Sequence, residues 1–332
     1  MEDQVAFASA SGDDNPIHTD FIAARRAPYG EPIVHGMHIV MWGIELFIKN
    51  LSGVRFVLQH LSVTFRHPLK LNSLSSYFFD EKTDGEKVFE VRADGKLILT
   101  CCFEIKEVTL TANSYRKRTQ KVLCRPRNFK EILGTVGTFN LEICDQNLKT
   151  LFSELFARLD PYDFSALLCS SRLVGMECPG RDSIFSSLEL KRGKTFVNCF
   201  KYHCSFTDAR FQLVKMDVEA GSLTGKVAAF FRAPPVLQAD GKEIKERLAG
   251  RRLDPGPALC IGGSRGLGEI AAKIFAMAGA DTILTYRLGA EDAEAVAENI
   301  RAAGGCARIA QLDVADERSV NNFCEKWLPG QV

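Results

Sequence analysis

The chain has no apolar run of the roughly 18 residues that a membrane-spanning helix needs. It has no surplus of charge either: 42 Lys and Arg stand against 41 Asp and Glu, a net +1. So balanced a chain carries no basic field for a nucleic-acid partner, and neither nucleic acid nor membrane is expected. Its eleven cysteines are odd in number and never spaced C-x-x-C. Several, such as Cys101-Cys102 and Cys260, sit in apolar strand-like runs. Buried free thiols in a reducing cytoplasm are expected, with no metal site and no disulfide framework. The start, Met1-Glu2-Asp3-Gln4, is acidic and lacks a signal-peptide pattern. A cytoplasmic protein is the expectation.

What is present is ordinary globular composition, 46% hydrophobic and 25% charged over 332 residues, enough for two or three domains. A short helix is predicted over Asp3–Ala10. A polar turn follows, Ser11-Gly12-Asp13-Asp14-Asn15-Pro16-Ile17-His18. Gly36 then opens a helix, Met37–Leu51, that is apolar nearly all round and therefore buried. Strands are predicted at Val54–Phe65, Ser75–Phe79, Lys87–Val91 and Lys96–Ile105, the last two joined at Asp94-Gly95. A buried helix wrapped by antiparallel strands is the hot-dog arrangement.

The order then repeats. Asn147–Leu159 reads as helix, and Phe164–Met176 as a second apolar helix closed by Cys178-Pro179-Gly180. Strands follow at Ser183–Leu190, Thr195–Cys204, Phe211–Val218 and Leu223–Phe231, with a turn at Glu219-Ala220-Gly221-Ser222. Residues 1–112 and 113–233 are thus read as two hot-dog units with their sheets side by side. Residues 234–256 are polar and proline-bounded, as in a linker. From 257 to 332 strands alternate with helices, which implies a parallel sheet. The fold class is therefore an α+β double hot-dog followed by a partial α/β Rossmann domain.

Asp13 and His18 lie on one loop that Pro16 keeps from running through as regular helix. Both side chains can aim into one cleft and share one water. One group takes a proton from that water while the other delivers or removes a proton at the neighbouring carbon. Hydration of a 2-enoyl thioester needs that pair of acts on one face. It also needs a donor for the charge that builds on the thioester oxygen. The N–H of Gly36 at a helix N-terminus supplies one, and glycine would allow close approach.

The segment Phe7–Asp20 with its S-G-D-x-N-P-x-H-x-D core, followed by Ile33-Val34-His35-Gly36-Met37, resembles the MaoC-like (R)-specific enoyl-CoA hydratases. The resemblance implies syn hydration of trans-2-enoyl thioesters, or the reverse dehydration, on coenzyme A or an acyl carrier protein. It implies Asp13 and His18 as the catalytic pair, Asn15 as a residue that orders the site, and Gly36 N–H as the oxyanion donor. His35 would be a structural neighbour of the helix start. His38, His60, His67 and His203 read as packing or surface residues. The second unit has no such motif before Ser171-Arg172-Leu173-Val174-Gly175-Met176. It is expected to be catalytically silent and to form the wall of an acyl tunnel.

Ile261-Gly262-Gly263-Ser264-Arg265-Gly266-Leu267-Gly268 follows an apolar strand and opens a helix, the context in which a diphosphate meets a helix N-terminus. It resembles the short-chain dehydrogenase/reductase family, whose adenine-contacting segment matches Leu312-Asp313-Val314. Gly262, Ser264, Arg265, Gly266, Gly268, Arg287 and Asp313 are the implied cofactor-binding residues. The second strand ends Thr285-Tyr286-Arg287, with no acid for ribose hydroxyls. Arg265 and Arg287 suit a 2′-phosphate, so weak NADP(H) binding is expected. None of the six tyrosines has a lysine four residues on, so the family's catalytic Tyr-x-x-x-Lys is missing. Only half of a doubly wound sheet is encoded. The last strand is expected to present an unpaired edge that invites self-association. The leading expectation is a hydratase/dehydratase that needs no cofactor. A non-catalytic acyl-thioester or carrier-protein scaffold and an NADP-dependent 3-oxoacyl reductase fragment are the alternatives.

Overall fold

The computed structural model describes residues 1–332 apart from 26, 28, 52, 83–84, 110–115, 118–123, 125–126, 144–146, 182, 233–237, 254–255 and 328–332. Two units separate, Met1–Pro234 and Pro235–Val332.

In the first unit α1 (Glu2–Ser11) stops at Gly12, which takes the left-handed conformation at φ 81° and returns its N–H to Ala8 O. Two short helices follow, α2 (Pro16–Thr19) and α3 (Phe21–Arg25). Proline opens α2, where its missing N–H costs nothing. The apolar helix is α4 (Gly36–Ile48), and its Met37, Val40, Met41, Ile44 and Ile48 are essentially inaccessible. Four strands wrap it: β1 (Arg55–Phe65), β2 (Ser75–Glu81), β3 (Lys87–Ala93) and β4 (Lys96–Val108). Asp94 and Gly95 both have positive φ, 51° and 71°, as a tight β3–β4 turn requires.

After β5 (Arg116–Lys117), β6 (Val136–Phe139) and β7 (Glu142–Ile143), the helical stretch expected over 147–159 is broken at Phe152 into α5 (Leu148–Leu151) and α6 (Ser153–Arg158). The second buried helix is α7 (Pro161–Arg172), continued by one wide turn over Leu173–Glu177. Two long strands complete the unit, β8 (Ser183–Asp208) and β9 (Leu213–Phe231).

The strand expectations for the second half need correction here. Four short strands are replaced by one long hairpin, and Glu219–Ser222 is not a turn. It lies inside β9 opposite the irregular part of β8, where Arg192, Val197 and Phe200 pair with Leu223, Gly221 and Ala220. The extra β8 residues are absorbed as bulges, and Gly221 at φ 62° bends the strand without reversing it. The sheet runs β2-β3-β4-β1-β8-β6, with β9 also on β8. The halves join where His60–Thr64 of β1 pairs antiparallel with Lys191–Ser187 of β8.

In the second unit the expected linker is partly structured. Residues 241–248 form α8 (Gly241–Leu248), capped by Asp240. It is tied down by Gly241 N–H to Asn299 Oδ1 and Lys245 Nζ to Ala303 O. Its amphipathic Ile244 is buried, which the charge of its neighbours hid. Then follow β10 (Pro257–Cys260), α9 (Gly266–Met277), β11 (Asp281–Tyr286), α10 (Ala290–Ala302), β12 (Cys306–Gln311) and α11 (Glu317–Trp327). The parallel order is β10-β11-β12. The first strand, β10, is therefore an edge as well as the last. Leu259, Ile261 and Leu267, in and just after β10, are exposed, as are Leu288 after β11 and Val314 after β12.

Gly43 sits in the middle of α4, where glycine costs about 1 kcal/mol against alanine. The cause is Phe89 of β3, whose ring would lie 2.4 Å from a Cβ at that position. Gly43→Ala is expected to destabilise the first unit by about 1–3 kcal/mol through overpacking, despite the gain in helix propensity. Urea denaturation checks this.

Candidate active site

The two motif pieces meet at one cavity of about 270 Å³. Asp13, Asn15, His18 and Gly36 all line it. The walls are apolar: Ile17, Ile33, Ile39 and Leu69 come from the first half, and Val174, Ile184 and Phe185 from the second.

Local hydrogen bonds fix the loop. Asn15 Oδ1 accepts from Ile17 N–H and so caps α2, while its amide donates to Arg181 O at 3.1 Å and Gly175 O at 3.5 Å. Asn15 thus ties the motif loop to the end of the second buried helix. Asp13 N–H donates to Ser11 Oγ, and Asp13 Oδ1 accepts from Asn15 N–H at 3.3 Å.

Asp13 is only 3% exposed. Ser171 Oγ donates to its Oδ2 at 2.6 Å. On the other side the carboxylate rests on Gly175, where a Cβ would lie 2.0 Å from Oδ1. Burial pushes the Asp13 carboxyl up to about 7, against the opposing effect of the Ser171 hydrogen bond. His18 Nδ1 donates to Ile33 O at 2.8 Å, which leaves Nε2 with a lone pair. Burial pushes His18 down to about 4; the Ile33 carbonyl opposes this and the Arg232 guanidinium adds to it. Near neutrality His18 is uncharged and Asp13 lies close to its midpoint.

Side-chain atoms of Asp13, His18 and His35 lie within 4.8 Å of one another. Three such residues could suggest a metal centre. Here His18 Nδ1 is taken by Ile33 O, and both ring nitrogens of His35 are engaged, with Gln4 Oε1 and Asp13 O. One imidazole nitrogen and one carboxylate remain, too few for a structural or catalytic zinc set.

Gly36 begins α4, so its N–H is among the four that have no intrahelical acceptor. Glycine at this position has a packing reason as well. A Cβ there would meet the Phe65 ring at 2.8 Å, so the residue makes room for an aromatic wall of the cavity. Phe65 in turn packs on Phe185 of the second half, ring centroids 5.1 Å apart.

Sequence reasoning missed Ser171 and Gly175, whose segment was read only as wall. A Ser and a Gly four residues apart on an apolar helix were the available signal, and nothing in the sequence linked them to residue 13. Gln4 was also missed; it joins His35 to His38 from α1.

Residues 1–91 match the model of the MaoC like domain, and residues 257–328 that of the short chain dehydrogenase. The chain joins a MaoC-like region to a short-chain dehydrogenase region. It is 28% identical over 99 residues to a 3-hydroxybutyryl-CoA dehydratase of Methylorubrum extorquens, covering 30% of this chain and 60% of that protein. It is 48% identical over 64 residues to an uncharacterised oxidoreductase of Mycobacterium tuberculosis, covering 19% of this chain and 24% of that one. A short chain dehydrogenase from Burkholderia cenocepacia, solved in complex with NADP, is 43% identical over 23% of this chain and 29% of its own, with a TM-score of 0.20. The chain spans about a quarter of the oxidoreductases it matches, and both regions match families of enzymes.

Ser171→Ala tests the geometry. Losing a hydrogen bond that favours the ionised carboxylate raises the Asp13 pKa further. If Asp13 titration controls turnover of an enoyl thioester, the variant's alkaline limit moves to higher pH and its rate falls about 10-fold, the scale of one hydrogen bond to a charged group. A pH–rate profile of wild type and variant measures both.

Proposed function

We propose that the first unit hydrates trans-2-enoyl thioesters to (R)-3-hydroxyacyl thioesters and catalyses the reverse dehydration, with the acyl group on coenzyme A or an acyl carrier protein. The observation that carries this reading is a buried carboxyl group, Asp13, and an imidazole, His18, lining one apolar cavity beside a helix N-terminus. In this reading residues 1–112 form the catalytic hot-dog and 113–233 a second unit without a catalytic pair of its own.

Hydration starts with Asp13 protonated and His18 neutral. The water oxygen bonds to C3 as its proton passes to His18 Nε2. The C2–C3 π pair moves onto C2 and the thioester oxygen, where Gly36 N–H donates to the developing charge. Asp13 gives its proton to C2. The proton on His18 then passes back to Asp13, which resets the pair. Dehydration runs the same steps backwards. Both additions come from the side where the pair lies, so the geometry is syn.

The active form holds one proton between the two groups. It is lost below about 4, where His18 takes a second proton, and above about 7, where Asp13 loses the first. The profile of kcat/KM for crotonyl-CoA hydration is therefore expected to fall on the alkaline side with an apparent pKa near 7. Asp13→Asn cannot carry the proton and should lose about 10²-fold or more, His18→Ala likewise, while the exposed His203→Ala stays at wild type. Chiral chromatography should find only the (R) product. Wild-type turnover in Asp13→Asn, or mainly (S) product, sinks the assignment.

The short-chain dehydrogenase region supports a second, lesser reading. Its glycine loop is formed, with Gly262 and Gly266 at φ 72° and 57°. Gly262, Ser264, Arg265, Gly266 and Gly268 would hold a diphosphate at the α9 N-terminus. Arg287 stands after β11 for a 2′-phosphate, and Asp313 follows β12 on the adenine side. NADP(H) would supply a hydride when bound, but no Tyr-x-x-x-Lys stands in this sequence to protonate a ketone. Weak NADPH binding by fluorescence and no acetoacetyl-CoA-dependent loss of absorbance at 340 nm are expected. Robust substrate-dependent oxidation would restore the reductase reading. Self-association through an edge of this sheet, β12 as expected or β10, belongs to the same reading, and sedimentation would detect it.

A further inference from the structure

Of the groups packed around the cavity, one buried histidine is used by none of the steps above. His35 is inaccessible to solvent and is the N-cap residue of α4, yet its side chain caps nothing. Its ring lies flat against His18, centroids 3.8 Å apart and planes 25° from parallel. Its Nε2 lies 3.0 Å from the backbone carbonyl of Asp13, and its Nδ1 lies 2.9 Å from Gln4 Oε1. Burial keeps His35 neutral, so it has one ring N–H to give, and donated from Nε2 that N–H binds the Asp13 carbonyl. Gln4 is itself 5% exposed, and its Oε1 also accepts from the His35 backbone N–H at 3.0 Å. Its amide nitrogen is 3.0 Å from His38 Nδ1, and His38 stacks on Phe7 with planes 4° apart.

We propose that His35 is a positioning residue that sets the distance between the two reacting groups, holding Asp13 through its backbone and His18 through its ring face, with Gln4 as the lock on His35. The proposal rests on the hydratase reading for its kinetic consequence only. The geometry leaves His18 two fixed points, the Ile33 carbonyl at Nδ1 and the His35 ring on its face, so Nε2 has one direction left. Asp13 is fixed at its carboxylate by Ser171 and at its carbonyl by His35. A shared water needs both groups correctly placed, and a misplacement of about 1 Å can cost 10²-fold in rate.

Three variants separate positioning from packing. His35→Phe keeps a ring to stack on His18 and loses the ring N–H. Gln4→Leu leaves His35 in place without its lock, and Gln4→Glu restores an oxygen acceptor. With crotonyl-CoA, His35→Phe is expected to lose at least 10-fold in kcat with KM within about twofold of wild type. Gln4→Leu should lose less, and Gln4→Glu should recover most of it.

A second readout does not depend on turnover. The titratable groups around Asp13 are Asp14, His18 and His35, with Arg232 facing His18. Releasing the Asp13 backbone admits water to its carboxylate, so the Asp13 midpoint, followed by carboxyl ¹³C NMR, should drop from near 7 toward the ordinary carboxylate range in His35→Phe. Circular dichroism and Tm establish that each variant is folded. Folded His35→Phe with wild-type kcat, or with an unmoved Asp13 midpoint, overturns the proposal; an unfolded His35→Phe passes the same two tests to Gln4→Leu. A wild type that hydrates no enoyl thioester refutes the hydratase reading instead, and the Asp13 midpoint still decides on His35.

Discussion

The site depends on where one carboxylate is allowed to rest. Asp13 lies against the bare Cα of Gly175, and no residue with a Cβ could stand there without moving it. That contact strips water from a charge, and desolvation is expensive unless hydrogen bonds replace the water. Among the described residues, Ser171 Oγ and Asn15 N–H do so. Two donors are fewer than a carboxylate can accept, so the protonated form gains and the group titrates near neutrality. A better-solvated Asp13 would be an ordinary anion. The surroundings of this carboxyl are thus set from the second half of the unit, by Gly175 and by Ser171, 158 residues away in chain position.

This explains an asymmetry between two halves of similar architecture. At the N-terminus of α4 the helix end opens on the cavity. At the N-terminus of α7 the corresponding space is closed by polar ties. Asp160 caps the helix, and Asp163 accepts from Leu58 N–H and pairs with Arg192, which also donates to Leu58 O. Arg158 donates to Ile48 O and Val54 O, and Glu45 accepts from Leu155 N–H and Ser153 Oγ. One helix start opens on the cavity while the other is used to fasten the halves together.

Much of this was legible in the residues. Helix α4 and the four strands around it follow from apolar periodicity, and Asp94-Gly95 from the two positive φ angles that such a turn requires. The Asp13–His18 loop follows from a dense local motif. What could not be read were contacts with no local signal. The pairing of β1 with β8 decides that Ser171 and Gly175 face residue 13, and a long-range pairing leaves no trace in spacing. The long β8–β9 hairpin was misdivided because a glycine at positive φ inside a bulge has the same sequence appearance as one in a turn. Helix α8 was hidden because a single buried isoleucine among charged residues resembles a solvated linker. Gly43 was passed over and Gly36 was read for the close approach of a thioester; at both, an aromatic ring from a strand also lies where a Cβ would stand.

The same reasoning bears on the glycine loop of the second unit. Gly268 has no room for a side chain because Gly262 O would lie 2.2 Å from its Cβ, and Gly263 is held against Leu284. The loop also spends N–H groups internally: Gly262 donates to Thr285 Oγ1 and Gly263 to Thr285 O. Those glycines are required for strand, turn and helix to pack at all, whether or not a diphosphate ever arrives. The glycine pattern therefore argues for the fold. The proposal of a phosphorylated ribose rests instead on Arg287, which is exposed just after β11, and on the lack of an acid at that strand end.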